Sequence, residues 1–412
     1  MTHWSMNVHP GMSPIRSNSS TTVPGRADDT RTGPGMAGCS SATCPVAPRA
    51  GRRRLLTAGL TLAVALVAAA CSGSDQPAAS GGSTSTTGGT AAGGPEVVLV
   101  TYDAFALPES AAAAFTERTG ATIRVVTSGD AGAMLTKALL SPGAPEGDVL
   151  FGVDNTLATR VTAEDLLEPY TPPNAAVVPA ADRPGGALDE LLTPIDTAAV
   201  CVNADVGALA ARGLQPPATL ADLTDPRYRD LLVVPSPVTS SPGLAFLVGT
   251  VARSGGDWPA YWQSLRANGV RVRPSWDDAY QTDYSASGGD RPLVVSYATS
   301  PPAEVLFSQG ALSEPKSVVV DDTCVRQVEY AGVLRGAPHP ELARQLVEFM
   351  LGPDWQAALP ASNFVDPVVP GTPRPPEFER WAARPASPLD LPVDRIGAER
   401  DQWIEQWRSI ME

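Results

Sequence analysis

The stretch 96–154, EVVLVTYDAFALPESAAAAFTERTGATIRVVTSGDAGAMLTKALLSPGAPEGDVLFGVD, alternates short apolar runs with helical patterns, and its reading decides the fold class. EVVLV (96–100), TIRVV (122–126) and DVLFG (148–152) are short, continuously apolar and bounded by turn residues, so they read as buried strands. Between them, 108–119 and 131–141 carry apolar residues at helical spacing behind a Pro or Asp start. Strand and helix in alternation imply parallel sheets with crossover helices, hence an α/β architecture.

The same alternation runs on downstream. AAVCV (198–202), DLLVV (230–234) and LVVSY (293–297) are further strands, and 158–168 and 242–253 further helices. Roughly 320 ordered residues exceed one compact core, so two lobes are expected. With crossings near 194–200 and 295–300, the first lobe takes 95–196, the second 197–298, and 299–412 returns to the first and ends in helices. A ligand cleft is then expected between the lobes, at the carboxyl ends of the strands. In ERDQWIEQWRSIM (399–411), Trp403 and Trp407 fall on one helix face and are read as core.

Upstream of residue 96 the chain reads as address and tether. Residues 1–50 have a disorder-like composition without apolar period. Arg52–Arg54 precede an apolar run from Leu55 to Ala70 that stops at Cys71, a signal-peptide layout too short for the roughly 20 residues of a spanning helix. Ala68-Ala69-Ala70-Cys71 looks like a bacterial lipobox, which makes 1–71 a leader and Cys71 the lipid-attachment residue. The alternative is an ordinary cleaved signal with an incidental cysteine. Residues 72–94 form a Gly/Ser/Thr linker of about 25 Å root-mean-square reach, as a tether between anchor and body requires.

Charge and residue counts exclude several functions. Residues 1–71 hold seven arginines, no lysine and two acids, so the rest of the chain carries −19 against −14 for the whole. Nucleic acid and anionic membrane surfaces are therefore poor partners. His339 is the only histidine after the leader, which argues against a His-ligated zinc site and a Ser-His-Asp hydrolase. Ser313-Glu314-Pro315-Lys316 matches S-x-x-K formally but has no partner motif, and Lys137 and Lys316 are the only lysines. Cys201 and Cys324 are the only cysteines after Cys71; a bridge between them and two buried thiols are both open.

Strand-end segments rich in aromatics, hydroxyls and carboxylates remain: Thr101–Phe105, Gly152–Asn155, Thr239–Gly243, Trp276–Tyr280 and Ser296–Pro301. Each alone is an ordinary turn or helix cap. Together, flat rings and carboxylates suit a cationic heteroaromatic ligand, because a ring face attracts positive charge.

In order and spacing, the blocks V-T-Y-D-A-F, F-G-V-D-N, P-V-T-S-S-P-G-L, W-D-D-A-Y, S-Y-A-T-S-P, V-E-Y-A-G-V, N-F-V-D-P-V and R-D-Q-W-I-E-Q-W-R resemble the periplasmic thiamine-binding proteins of ABC importers. The resemblance implies a two-lobed periplasmic-binding-protein-like fold with the ligand in the cleft between lobes, capture of thiamine or a thiamine phosphate for a permease, no catalysis, no cofactor and a monomeric state. It implies aromatic walls from Tyr102, Trp276 and Tyr297, and polar contacts from Asp130, Ser240, Ser241, Ala298, Thr299 and Ser300. With Asp103 and Tyr280 from the strand-end segments and Ala131 beside Asp130, these make the candidate ligand-binding set. A helix beginning at Pro242 would aim free N–H groups at a phosphate without needing lysine.

The sequence departs from the family at Asp130-Ala131 (Asp-Gly), Ser240-Ser241 (Ser-Thr) and Asn363-Phe364 (Asn-Trp), and lacks a tryptophan soon after the first block. These departures leave the phosphorylation state of the ligand open. A receptor for another cation such as a polyamine is the main competing expectation, and a cofactor-modifying enzyme the weaker one.

Overall fold

The computed structural model describes residues 94–412. Ten strands form one mixed sheet: β1 (Glu96–Thr101), β2 (Thr122–Thr127), β3 (Val149–Asp154), β4 (Leu167–Glu168), β5 (Thr193–Asp205), β6 (Leu232–Pro235), β7 (Arg271–Arg273), β8 (Leu293–Tyr297), β9 (Ser317–Leu334) and β10 (Asp366–Pro367). The main path runs β2-β1-β3-β9-β5-β8-β6-β7. β1, β2 and β3 are parallel, as are β6, β7 and β8, each trio joined by helices. These trios belong to the two lobes of an α/β fold.

The long strands β5 and β9 pass from one trio to the other and are antiparallel to their neighbours. An all-parallel sheet is thus corrected to a mixed one: a strand that returns the chain between lobes must oppose the local direction. The return expected near 295–300 is made by β9, about twenty residues later. Asp321, Asp322, Arg326 and Glu329 interrupt its apolar pattern and disguise it as loop. The helix expected at 158–168 is a 3-10 segment, Ala158–Asp165, followed by β4; Ala163 and Glu164 leave helical geometry inside it.

One core extends from Val100, Met134 and Leu150 to Phe246, Trp262 and Trp407, while a second packs Val97, Phe115 and Phe349 on the other face of β1 and β3. Trp403 and Trp407 are buried as expected, and Trp407 meets Trp262 edge to face at 5.7 Å. Cys201 of β5 and Cys324 of β9 form a disulfide. It sits where the register slips, from Val200↔Val325 to Val202↔Val320. Among the described residues no helix is long and apolar enough to cross a membrane. Cys71, the leader and nearly all of the linker lie outside the described residues.

Candidate functional site

β1 delivers Tyr102 to the rim of a cleft lined also by Ala104, Asp130, Ala131, Ser241, Pro242, Trp276, Tyr297, Glu329, Asn363 and Phe364. The empty space in and over it, open solvent included, is about 450 Å³. Tyr102 owes its position to Gly152 in β3, where φ is +98° and a Cβ would stand 2.3 Å from Tyr102 Cδ1. Only glycine satisfies both conditions. The Tyr102 hydroxyl then donates to Glu329 Oε2 at 3.1 Å.

The F-G-V-D-N block fixes the floor. Asp154 accepts from Thr156 N (2.9 Å), Thr156 Oγ1 (2.6 Å), Leu157 N (3.1 Å) and Gln327 Nε2 (3.0 Å). Asn155 exchanges two bonds with Val328, one through its side chain at 3.0 Å and one through its backbone N–H at 3.1 Å. Clamped in this way, β9 holds Glu329 at the cleft. Gln327 Nε2 also reaches Ser241 Oγ at 3.0 Å, coupling the floor to the Ser241–Ser254 helix.

The far wall is aromatic. Trp276 stacks on Tyr280 at 4.9 Å with planes 12° apart, and meets Tyr297 at 5.9 Å and Phe364 at 6.4 Å. Its indole Nε1 donates to Ser296 Oγ at 2.9 Å, locking the ring. Phe364 sits at φ +58°, a conformation that L residues seldom hold unsupported. Thr299 Oγ1 donates to its carbonyl, and Asn363 on its other side exchanges side-chain bonds with Ala106 N and O, both at 3.0 Å.

Two contacts join the walls directly. Asp130 caps the Ala131–Leu139 helix through Ala131 N at 2.6 Å and accepts from Trp276 N at 2.9 Å with its other oxygen. Ala133 N donates to Thr239 O at 3.1 Å.

The electrostatics are one-sided, because none of the cleft-lining residues is basic. Burial raises the carboxyls of Asp130 and Asp154, with hydrogen bonds opposing it. Glu329 is pushed up to about 8, chiefly by burial and then by the charge of Asp154. Burial likewise holds the Tyr297 phenol far above its ordinary value. Among the described residues no cluster of three or more His, Cys, Asp or Glu is set to hold a metal ion.

Of the expected residues, Tyr102, Asp130, Ala131, Ser241, Trp276 and Tyr297 line the cleft. The others stand elsewhere. Asp103 accepts from Gly129 N at 2.9 Å and braces the loop before Asp130. Tyr280 backs Trp276, and Ala298 packs against the disulfide. The Thr299 hydroxyl is used on Phe364, and that of Ser300 on Ser296 Oγ (2.8 Å) and Tyr297 N (3.2 Å). Ser240 is buried at the foot of the Ser241–Ser254 helix, and its side chain makes no capping bond.

Glu329, Asn363, Phe364, Ala104 and Pro242 are cleft residues that sequence reasoning did not select. Glu329, Asn363 and Phe364 lie inside blocks that carry the family resemblance, so the signal was positional. No chemical motif marks a lone glutamate on a strand.

The sequence matches the family of bacterial extracellular solute-binding proteins over residues 145–391. The thiamine-binding periplasmic protein of Salmonella typhimurium is 28% identical over 327 residues, covering 77% of this chain and 94% of that protein. Its counterpart from Brucella melitensis is 26% identical over 318 residues, covering 76% and 91%. The solved structure of a periplasmic thiamin binding protein matches with a TM-score of 0.69 at 26% identity, over 77% of this chain and 97% of that one. With more than half its length matched and the two-lobed fold behind the match, the chain belongs to the bacterial extracellular solute-binding proteins, and its work is the capture of a small molecule for an ABC-type transport system rather than catalysis.

Proposed function

We propose that the cleft captures thiamine or a thiamine phosphate outside the cell membrane and presents it to an ABC permease. The observation that carries this reading is the joining of flat aromatic surfaces, Tyr102, Trp276, Tyr297 and Phe364, to a carboxylate floor with no basic side chain. A thiazolium has a permanent positive charge and two faces. Ring faces attract the charge, stacking takes up the apolar area, and the buried acids supply the counter-charge. The relatives that cover nearly their whole length with this chain are named for thiamine binding, which supports the same ligand. A phosphate tail would extend toward the free N–H groups of the Ser241–Ser254 helix, where Ser240 and Ser241 add hydroxyls. On this reading the protein acts as a monomer, tethered to the membrane through a lipid on Cys71.

Calorimetric titration with thiamine, thiamine monophosphate and spermidine tests the proposal. Saturable binding of the first two at least a hundredfold tighter than spermidine supports it. Preference for spermidine would replace it with polyamine capture.

A further inference from the structure

β5 and β9 pair beneath the cleft, and just past a register shift between Pro194 and Asp196 the ladder sets Asp196 opposite Glu329. Like charges directly opposite one another on neighbouring strands repel. No cation relieves this pair: neither acid takes part in a salt bridge among those of the described residues, and both oxygens of Asp196 are buried without a hydrogen-bond partner. The single side-chain donor to Glu329 is the Tyr102 hydroxyl.

The other groups facing the pair add no positive charge. Asp154 approaches from β3, Tyr297 from β8 and Asp130 from the start of the Ala131–Leu139 helix. Asp366 of β10 flanks Asp196, and its partner Arg374 is spent on it at 2.7 Å. Two acids so placed are stable together only if protons or an incoming cation neutralise them. Glu329 lines the cleft and Asp196 does not, so Glu329 is the member a ligand can touch.

We propose that Glu329 is the specificity-determining group for the ligand's positive charge and exchanges a proton for it, as a carboxylic acid in the empty cleft and a carboxylate in the complex. The inference rests on the thiamine reading above. In the exchange the Glu329 O–H bond breaks, its electron pair stays on the carboxylate, and the proton passes through water to buffer. One positive charge leaves the floor as another arrives, so the charge within the cleft is unchanged. Asp196 is a positioning residue that sets how firmly the proton is held. Burial keeps both carboxyls above their ordinary values, Glu329 at about 8, which places the exchange in the neutral range.

The test is titration of the full chain with thiamine at several pH values, in buffers of differing ionisation enthalpy. Close to one proton should be released per thiamine at pH 7. Affinity should rise by up to tenfold per pH unit from pH 6, levelling near 8. A neutral thiophene analogue of thiamine should bind without proton release. Glu329→Gln should bind thiamine weakly with a flat pH profile, and Asp196→Asn should keep binding but shift the rise to lower pH. Thiamine binding by the wild-type chain with neither proton release nor pH dependence would overturn the exchange and leave the thiamine reading standing. Failure of thiamine to bind at all would remove both.

Discussion

Replacing Gly132 by alanine should weaken ligand binding without touching the ligand. Gly132 is in the first turn of the Ala131–Leu139 helix, and a Cβ there would stand 2.8 Å from Thr239 O, 2.9 Å from Thr239 C and 3.2 Å from Val238 O. These are backbone atoms ahead of the Ser241–Ser254 helix and cannot swing aside as a side chain would. Restoring ordinary contact at 3.4 Å requires the two segments to part by about 0.6 Å, which breaks the neighbouring Ala133 N to Thr239 O bond. That bond contributes about 0.5–1.5 kcal/mol. Overpacking adds about 1–3 kcal/mol. The two segments follow β2 and β6, in different lobes, so the combined penalty of about 1.5–4.5 kcal/mol falls on the closed cleft alone. At 1.4 kcal/mol per decade, affinity should drop by roughly 10-fold to 1,600-fold. Alanine favours a helix by up to about 1 kcal/mol over glycine, so the ligand-free variant should melt no lower than wild type. Calorimetry gives the affinity, and small-angle scattering gives the contraction on saturation. Wild-type affinity together with full contraction would refute the wedge argument and the reading of this contact as a closure surface.

Trp276→Ala should cost thiamine binding at least roughly thirtyfold, from a cation over a desolvated ring worth about 2 kcal/mol. The indole is also core, so alanine should lower the melting temperature as well; Trp276→Phe, which keeps a ring but loses the bond to Ser296, separates the two effects, and unaltered affinity in a folded Trp276→Ala chain would take the residue out of the site. Cys71→Ala should release the protein into the soluble fraction, and retention in the membrane under detergent-free extraction would count against the tether. An unfolded glutamate loses its proton near 4.3, whereas Glu329 keeps its proton to about 8. The unfolded chain thus binds fewer protons between those values, and unfolding free energy should fall as pH rises through that window. Glu329→Gln should flatten this slope in denaturant titrations of the ligand-free protein; an unchanged slope would show that other groups set it.

The strands of both trios except β7 were legible, because apolar runs such as EVVLV and LVVSY mark them, whereas Arg271-Val272-Arg273 carries no such run. β9 was not, since its Asp, Arg and Glu residues serve the hinge, the cleft floor and surface ion pairs rather than a uniform apolar face. Tyr102 and Trp276 could be picked out because the blocks that hold them carry the family resemblance, although both rings also pack against core residues. The hydrogen-bond partners of Thr299 and Ser300 were not legible, because the direction of a hydroxyl depends on where Phe364 and Ser296 come to lie. Glu329 owes its chemistry to burial and to Asp154, on a strand distant in sequence, and that placement is a tertiary property that no local window contains.

The bond between Cys201 and Cys324 joins residues 123 apart, and nearly all of the lobe built on β6, β7 and β8 falls between them. In the oxidised chain that lobe is a closed ring, whether folded or not. The entropy of bringing its ends together is removed from the folding balance, on the order of 4–5 kcal/mol for a ring of this size. Further lengthening of such a ring costs only about 0.6 kcal/mol per doubling. Loops of this lobe can therefore tolerate insertion more cheaply than their counterparts outside the ring. Chain made in a reducing cytosol starts without that advantage, so material produced there should be the less stable preparation until it is oxidised.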